Sequence, residues 1–357
     1  MGIKANIILY RVRIIVCCSV LLISLFMGGC TQALDPQISK ISGPTMGTQY
    51  HISWVSKALN KTSLDVERKH LKQQVDQRLS AINKSMSTYD PQSELSLINS
   101  NFTSQWQNIS ASLYQVLVLA KQVNHQSDKA FDVTVGPLVN LWGFGPDKKD
   151  DRIPELQTIN ALMDEIGSDA LSLRSHKEGF QLRLKAPRYL DLSGIAKGYA
   201  VDDLGNLLQV QGVDNYLVEV GGEIIAKGFK PQNKPWRIAI EAPNDDGHSV
   251  QEIIPLSNMG LATSGDYRNF FEKDGKRYSH TIDGRTGYPV EHNLASVSVL
   301  HKSAAVADAW ATALSVLGAD RGLELAEIYN LAAYFIVRTE SGYKQLRSRQ
   351  FEQLRLD

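Results

Sequence analysis

Cysteine is scarce: the chain has three in 357 residues, and none lies beyond position 30. Thiolate catalysis and thiolate zinc sites are therefore excluded from everything after Cys30, and the shortage suits an oxidising compartment. A long hydrophobic run is missing too. The most apolar stretch, "IIVCCSVLLISLFM" (14–27), falls short of the roughly 20 residues a spanning helix needs. Charge of one sign is also lacking, with 38 basic and 38 acidic residues. No basic run or basic face appears, which argues against nucleic acid as a partner. No Gly-x-Gly-x-x-Gly follows a predicted strand and no redox thiol is available, so ordinary flavin redox catalysis is disfavoured. Fixed-period repeats and low-complexity linkers are absent as well.

What is present begins with a leader. Lys4, Arg11 and Arg13 precede the short apolar run, and "MGGC" closes it. That order is a signal-peptide pattern followed by small residues. It is similar to a bacterial lipoprotein signal, in which Cys30 becomes the lipidated first residue. Met27 stands where such signals usually carry Leu. Without Lys4, Arg11 and Arg13 the chain carries a formal −3. The expected boundaries are a signal peptide over 1–29, an anchor and tether over 30–43, a catalytic domain over 44–350 and a tail over 351–357.

Within that domain, "TQYHISWV" (48–55) alternates as a strand. Apolar spacing predicts helices over about 64–82, 111–124 and 194–211, and a further one between Pro154 and Gly167. "ALSLR" and "FQLRL" read as a hairpin, as does "FFEKDGKRYSH" with Asp274-Gly275 at its turn. Strands are expected near 215–220, 223–227, 236–241, 251–256 and 294–300. The chain finishes with a helix at 303–318, another at about 321–329, and the strands "AAYFIV" and "YKQLR". Strands and helices mix without strict alternation, which indicates one α+β domain with room for two lobes rather than a regular parallel sheet.

Several polar, glycine-rich stretches interrupt this framework. "YLDLSGIAKGYAVDDL" (189–204) runs from a strand end into a helix and places Lys197 in its first turn. A cation is disfavoured there by the helix dipole, and a bound phosphate would relieve the conflict. Gly221-Gly222 by itself reads as a hairpin turn. "GLATSGDYRNFF" (260–271) reads as a loop holding Thr263, Ser264, Gly265, Asp266 and Arg268. "YSHTIDGRTGYPV" (278–290) brings His280 and Asp283 before another turn. Convergence of such stretches is the mark of a site. The helix "SAAVADAWATALSVLG" (303–318) is apolar nearly all round, yet carries Asp308 and Thr312 one turn apart on one face. A buried carboxylate needs a counter-charge. Carboxylate and hydroxyl oxygens together, without thiolate or imidazole, suit a hard cation such as Mg²⁺.

Taken in order, "GPTMGTQYHI" (43–52), "MSTYDPQSELSLIN" (86–99), "KAFDVTVGPLVNLWGFG" (129–145), "DLSGIAKGYAVD" (191–202), "VEVGGEI" (218–224), "TSGDYRNFF" (263–271), "HTIDGRTGYP" (280–289) and "VADAWATAL" (306–314) resemble the ApbE family of FAD:protein FMN transferases. Ser193 and Gly284 stand where that family usually has Gly and Pro. The resemblance implies an ApbE-like (T-fold-like) domain. It also implies transfer of FMN from FAD to a Thr or Ser hydroxyl of another protein, with release of AMP. Acceptors would carry a segment like Asp-Gly-x-Thr-Gly-Ala-Thr, as in subunits of membrane redox pumps. By the same resemblance Asp308, Thr312 and the backbone carbonyl near Gly194 would hold Mg²⁺. Met46, Tyr89, Ala130, Phe131, Asp132, Asp191, Lys197 and Ile282 would contact FAD. His280 is the candidate base for the acceptor hydroxyl, and Asp283 the second choice. "DGRTGYP" (283–289) partly mimics an acceptor, but Tyr288 and Pro289 break the pattern. Family members are often periplasmic lipoproteins, so the expected location is the cell envelope, lipid-anchored on the periplasmic side of the inner membrane. Two other readings compete: a Mg²⁺-dependent FAD pyrophosphatase giving FMN and AMP, and a non-enzymatic FAD-binding lipoprotein.

Overall fold

Gln37 opens the first strand, β1 (Gln37–Thr45), which turns at Met46-Gly47 into β2 (Thr48–Ser56). Both turn residues have positive φ, 49° and 71°, the geometry of a tight two-residue hairpin. The computed structural model describes residues 37–145, 153–243, 250–266 and 269–356. The leader, Cys30, the first part of the tether and Arg268 lie outside the described residues. The tether expected to run to residue 43 is, from Gln37 onward, an edge strand paired along its whole length with β2. Polar residues suffice for this strand, because an edge strand with one wet face needs few apolar side chains.

Helix α1 (Lys61–Met86) follows, opened by a capping box in which Asn60 and Ser63 exchange side-chain and backbone bonds. Short α2 (Glu94–Ser100) and β3 (Gln107–Ile109) lead to α3 (Ala111–Gln126), then α4 (Gly136–Leu141) and α5 (Leu156–Met163). The hairpin β4 (Leu171–His176) and β5 (Gly179–Leu184) forms a small sheet with β3. Helix α6 (Ala196–Val210) precedes β6 (Tyr216–Val220) and β7 (Glu223–Lys227). After β8 (Trp236–Glu241) and β9 (Val250–Leu256) comes β10 (Met259–Gly265), which replaces the first half of the loop expected at 260–271. The small hairpins β11 (Phe270–Lys273) with β12 (Lys276–Ser279), and β13 (Ile282–Asp283) with β14 (Tyr288–Pro289), lead to β15 (Leu294–His301). The chain closes with α7 (Ala304–Ile328), β16 (Ala332–Thr339), β17 (Gly342–Arg347) and α8 (Arg349–Leu356). Regular helix in α7 breaks at Gly318, whose φ is 77°, so the two helices expected there are one interrupted run. The expected tail is the helix α8, anchored by Phe351, which is fully buried.

An eight-stranded antiparallel sheet, ordered β1-β2-β6-β7-β10-β15-β16-β17, forms the backbone of the domain. Alternation along its strands serves two cores. Tyr50, Ile52 and Trp54 of β2, with Ala333 and Phe335 of β16, face the helical side, where residues of α1, α3, α6 and α7 pack. Ala332, Tyr334 and Ile336 face the other side, under the β8–β9 hairpin and Phe351. A strand buried on both faces reads as an unbroken apolar run, which is why "AAYFIV" is so plain. A third, smaller cluster of Leu138, Leu141, Trp142, Ile159, Phe271, Tyr278 and Ile282 forms a lobe of α4, α5 and the small hairpins. No helix among the described residues is long and apolar enough to cross a membrane.

Candidate active site

Helix α7 lands on the sheet with its N-terminus fixed from α6. Asp202 accepts from the Ala304 and Ala305 amides at 2.8 and 3.0 Å and from the Ser303 hydroxyl at 2.6 Å. An acid that caps a neighbouring helix satisfies its orphan amides and suits its dipole. The two helices also need glycine to come this close. A Cβ on Gly198 would stand 2.4 Å from the Ala304 carbonyl oxygen. This close packing brings Lys197 and Asp308, from separate helices, into one cleft.

That cleft, of about 400 Å³, is lined by Tyr89, Ala130, Phe131, Asp132, Asp191, Gly194, Lys197, His280, Ile282, Asp308 and Thr312. Eleven of the thirteen site residues expected from sequence thus meet at one place. Met46 and Asp283 are not among its lining. Met46 occupies the β1–β2 turn and packs on the main core; its neighbour Thr48 lies against Gly221, which does line the cleft. Asp283 is tied to Arg285, accepting from its amide and Nε at 2.9 Å and from Nη2 at 2.7 Å. Its carboxylate is paired with that guanidinium, and the structure does not bring it into the cleft lining with the other expected residues.

The floor of the cleft is ionic. Lys197 Nζ donates to Glu223 Oε1 at 2.6 Å, and Gly198 N donates to Asp308 Oδ2 at 3.0 Å. Asp308 is 2% exposed and Glu223 4%. Burial pushes both carboxyls up, Glu223 to about 7, while Lys197 pulls them down. For Lys197, burial acts to lower the pKa, but the charges of Asp308 and Glu223 outweigh it and raise the group above its usual value. The cation in the first turn of α6 is therefore answered by two acids of the protein. These acids supply a counter-charge to the lysine before any ligand enters. Sequence patterning misses Glu223 because the Gly221-Gly222 pair before it reads as a plain turn. The turn is real, with φ of 59° and 103°, and its sharp reversal delivers Glu223 to the lysine.

Beside this cluster stands a set of oxygens. Thr312 Oγ1 lies 3.4 Å from Ser264 Oγ. Gly194 presses on the same hydroxyl: a Cβ there would be 2.9 Å from Thr312 Oγ1 and 3.2 Å from Phe131. Asp308 Oδ2 has its one amide donor, and Glu223 Oε2 is buried with no hydrogen-bond partner among the described residues. One carboxylate, one hydroxyl and a neighbouring backbone form a hard donor set, with two acids against one lysine. These residues fit Mg²⁺, which is characteristically held by one or two carboxylates and completed by phosphate oxygens and water. No group of three His, Cys, Asp or Glu able to hold a metal occurs among the described residues.

The other wall is built from the Ala130–Asp132 loop. Asp128 and Lys129 adopt positive φ, 53° and 64°, an uncommon conformation held here by Lys129 N to Asn124 O at 2.8 Å. Asp132 is saturated. It accepts from the Thr134 amide and hydroxyl, the Ser168 amide and hydroxyl, and the Asn124 side chain, all within 3.1 Å. Its carboxylate shapes the loop, and its contribution to the cleft is the backbone it holds. Phe131 serves as core and as lining at once, 4% exposed yet at the cleft wall. Asp191 accepts from the Ser193 amide and hydroxyl at 2.8 and 2.5 Å, so the serine that departs from the family pattern braces the turn into α6. Tyr89 is 70% exposed and stands at the rim.

His280 Nδ1 donates to the Asn269 carbonyl at 3.0 Å. The bond assigns the tautomer: Nδ1 carries the proton and Nε2 keeps its lone pair. Burial lowers the pKa of the ring, which the carbonyl only partly offsets. An imidazole so held favours its neutral form more than a free histidine does. Phe144 meets it edge-on at 6.3 Å.

Comparison with known proteins points to one family. The ApbE family model matches residues 46–335. An FAD:protein FMN transferase of Haemophilus influenzae is 42% identical over 323 residues, covering 90% of this chain and 92% of that protein. One of Vibrio cholerae is 44% identical over 329 residues, 92% of this chain and 95% of that one. Among solved structures, the flavin transferase ApbE from Vibrio cholerae superposes with a TM-score of 0.80 at 42% identity, covering 89% of this chain and 99% of its own. The apo flavinyl transferase ApbE of Pseudomonas stutzeri does so at 0.82 and 38%, covering 90% and 98%. The mixed sheet-and-helix fold, the cleft residues and these likenesses lead to one conclusion: the chain belongs to the ApbE family.

Proposed function

We propose that this enzyme transfers FMN from FAD to a Thr or Ser hydroxyl of an acceptor protein and releases AMP. The observation that carries the reading is the meeting, in one cleft, of the Lys197–Glu223–Asp308 cluster with an imidazole whose Nε2 has no hydrogen-bond partner among the described residues. Phosphoryl transfer asks mainly for charge neutralisation and alignment. Lys197 keeps ammonium protons beyond the one given to Glu223, and these can meet pyrophosphate oxygens. Phe131, Ile282 and Tyr89 offer flat and apolar surface to a flavin or adenine ring. Asp308, Thr312 and the Gly194 carbonyl are the residues that would hold Mg²⁺. When bound, the ion polarises phosphoryl oxygens and offsets the charge that develops on them.

In this scheme His280 Nε2 takes the proton of the acceptor hydroxyl. The hydroxyl oxygen forms a bond to the FMN-side phosphorus, and the bond from that phosphorus to the bridging oxygen breaks. AMP departs with the bridging oxygen. The acceptor segment would resemble Asp-Gly-x-Thr-Gly-Ala-Thr and belong to a membrane redox-pump subunit. We place the enzyme on the periplasmic side of the inner membrane, anchored through Cys30. Gln37, where the described chain starts, pairs with Ser56 at one end of the sheet. Gly221 and Ser264 of the cleft lie at the other. β1 runs nine residues between these ends, so an anchored chain would hold its cleft roughly 25 Å beyond the entry point.

Intact mass of an acceptor domain, after incubation with the detergent-solubilised full chain, FAD and Mg²⁺, tests the proposal. A gain of one FMN, with AMP in the supernatant, is the expected result. Free FMN and AMP over an unmodified acceptor would assign a pyrophosphatase instead. FAD that is bound but left intact would assign a binding protein.

A further inference from the structure

Two buried acids share one lysine at the floor of the cleft, and they share it unequally. The lysine's hydrogen bond goes to Glu223 at 2.6 Å. Asp308 takes the amide of the next residue, Gly198, at 3.0 Å. The route to Glu223 is specifically shaped. The Gly221-Gly222 turn reverses β6 into β7 with positive φ at both residues, and Gly221 is packed so closely on the lysine stem that a Cβ would stand 3.2 Å from Lys197 Cδ. Glu223 is 4% exposed, and its second oxygen is buried without a partner among the described residues. Such an atom costs free energy, and stability alone gives no reason to keep it.

We propose that Glu223 is a positioning residue that holds Lys197 away from Asp308, so that the Asp308 carboxylate stays available to a divalent cation. The inference rests on the assignment of Asp308 as a cation ligand in the reading above. Asp308 is the other buried acid whose charge acts on the ammonium, and it is what remains among the described residues once the Glu223 charge is removed. The lysine would then compete with the cation for the same carboxylate. Glu223 never touches the metal in this arrangement; it acts through the lysine.

Mn²⁺ binding to the full chain without FAD, followed by loss of the free-ion electron paramagnetic resonance signal, reads this directly and needs no turnover. Glu223→Gln is expected to weaken Mn²⁺ roughly tenfold, the lower end of what partners of ligating groups contribute. Adding Lys197→Met to Glu223→Gln is expected to restore affinity to at least that of the unsubstituted protein, because the competitor is gone. Glu223→Asp, which keeps the charge on a shorter arm, should fall between and covers the case in which Glu223→Gln does not fold. Unchanged Mn²⁺ affinity in Glu223→Gln, or in Glu223→Asp if only that variant folds, overturns the proposal. So does a double variant as weak as Glu223→Gln alone. Should Asp308→Asn bind Mn²⁺ like the unsubstituted chain, the Asp308 assignment itself fails, and that outcome is separate from the other two.

Discussion

The molecule contains two sorts of buried carboxylate, and the contrast between them separates scaffold from site. Asp132, at one wall of the cleft, receives five hydrogen bonds from Thr134, Ser168 and Asn124. Asp202, half-buried between α6 and α7, receives three. Asp308 and Glu223 are at least as deeply buried as Asp132, yet Asp308 has one amide donor and Glu223 keeps an oxygen with none among the described residues. A saturated carboxylate has returned its desolvation cost to the fold. An under-supplied one holds its capacity open for something else, and the fold is less stable for it. Exposure does not distinguish the two; donor count does.

Exchanging the charge at the open site should therefore hurt function and spare the fold. Asp308→Asn is expected to reduce FMN transfer by roughly a thousandfold, because the charge that would hold the cation is lost. The thermal midpoint should stay where it is or rise, since an acid pushed up by burial is relieved of its charge. Paired assays of acceptor mass and thermal unfolding on one preparation check this. A midpoint that collapses would place Asp308 with the scaffold. Asp132→Ala should do the reverse. It strands buried donors on Thr134, Ser168 and Asn124, at a cost of about 3 kcal/mol or more. Chemical unfolding should show that loss, and transfer should fall with the folded fraction and with the loosening of the cleft wall that Asp132 holds.

The contrast also explains what the sequence could reveal. Asp308 was legible because an acid and a hydroxyl one turn apart interrupt an otherwise apolar helix, and helical periodicity is local. Lys197 was legible as a cation in an unfavourable place, but its partner was not, since Glu223 is 26 residues away and reached only through the sheet. Asp132 and Asp308 look alike in sequence, because donor count depends on which loops meet. For Asp132 those are the segments at 124, 134 and 168. The hairpin at Asp274-Gly275 was readable from two residues, with φ of 54° and 74° as such turns need. β1 was not, because its pairing partner rather than its own pattern makes it a strand. The cleft itself was assembled by resemblance to a family: its residues come from segments that no periodicity connects.

His280 sharpens the comparison from the acceptor side, as a group held neutral by burial rather than left under-supplied. Its pKa is lowered, chiefly by desolvation, so the ring stays a free base until the pH drops below the usual histidine range. Transfer should be flat through neutral pH and fall as the pH passes down through that lowered value. His280→Ala should slow transfer roughly a hundredfold and remove that limb of the profile, while FAD binding followed by flavin fluorescence is unchanged. Linkage has the same sign. The neutral ring's contribution to stability is present above the unfolded-state pKa and is lost as pH falls from there through the folded-state value. Retention of the acidic limb in His280→Ala would assign it to another group.

The smallest effect tests whether the open site depends on backbone fit as well as charge. Gly194 carries no charge and makes no side-chain bond, yet a Cβ there would sit 2.9 Å from Thr312 Oγ1 and 3.2 Å from Phe131. Gly194→Ala must push the hydroxyl, the ring or the turn aside by a few tenths of an ångström. Hard cations tolerate poor geometry badly, so Mn²⁺ binding and transfer should weaken together, by roughly tenfold, with little change in stability. Gly198→Ala is the counterpart in the scaffold. Its Cβ would meet the Ala304 backbone at 2.4 Å, and backbone in a packed helix cannot yield as a side chain can. The cost there should appear first in unfolding, and in transfer only through it. If Gly194→Ala instead destabilised the fold and left Mn²⁺ binding intact, the glycine would belong to the scaffold, and the cation's third oxygen would have to come from elsewhere in the cleft.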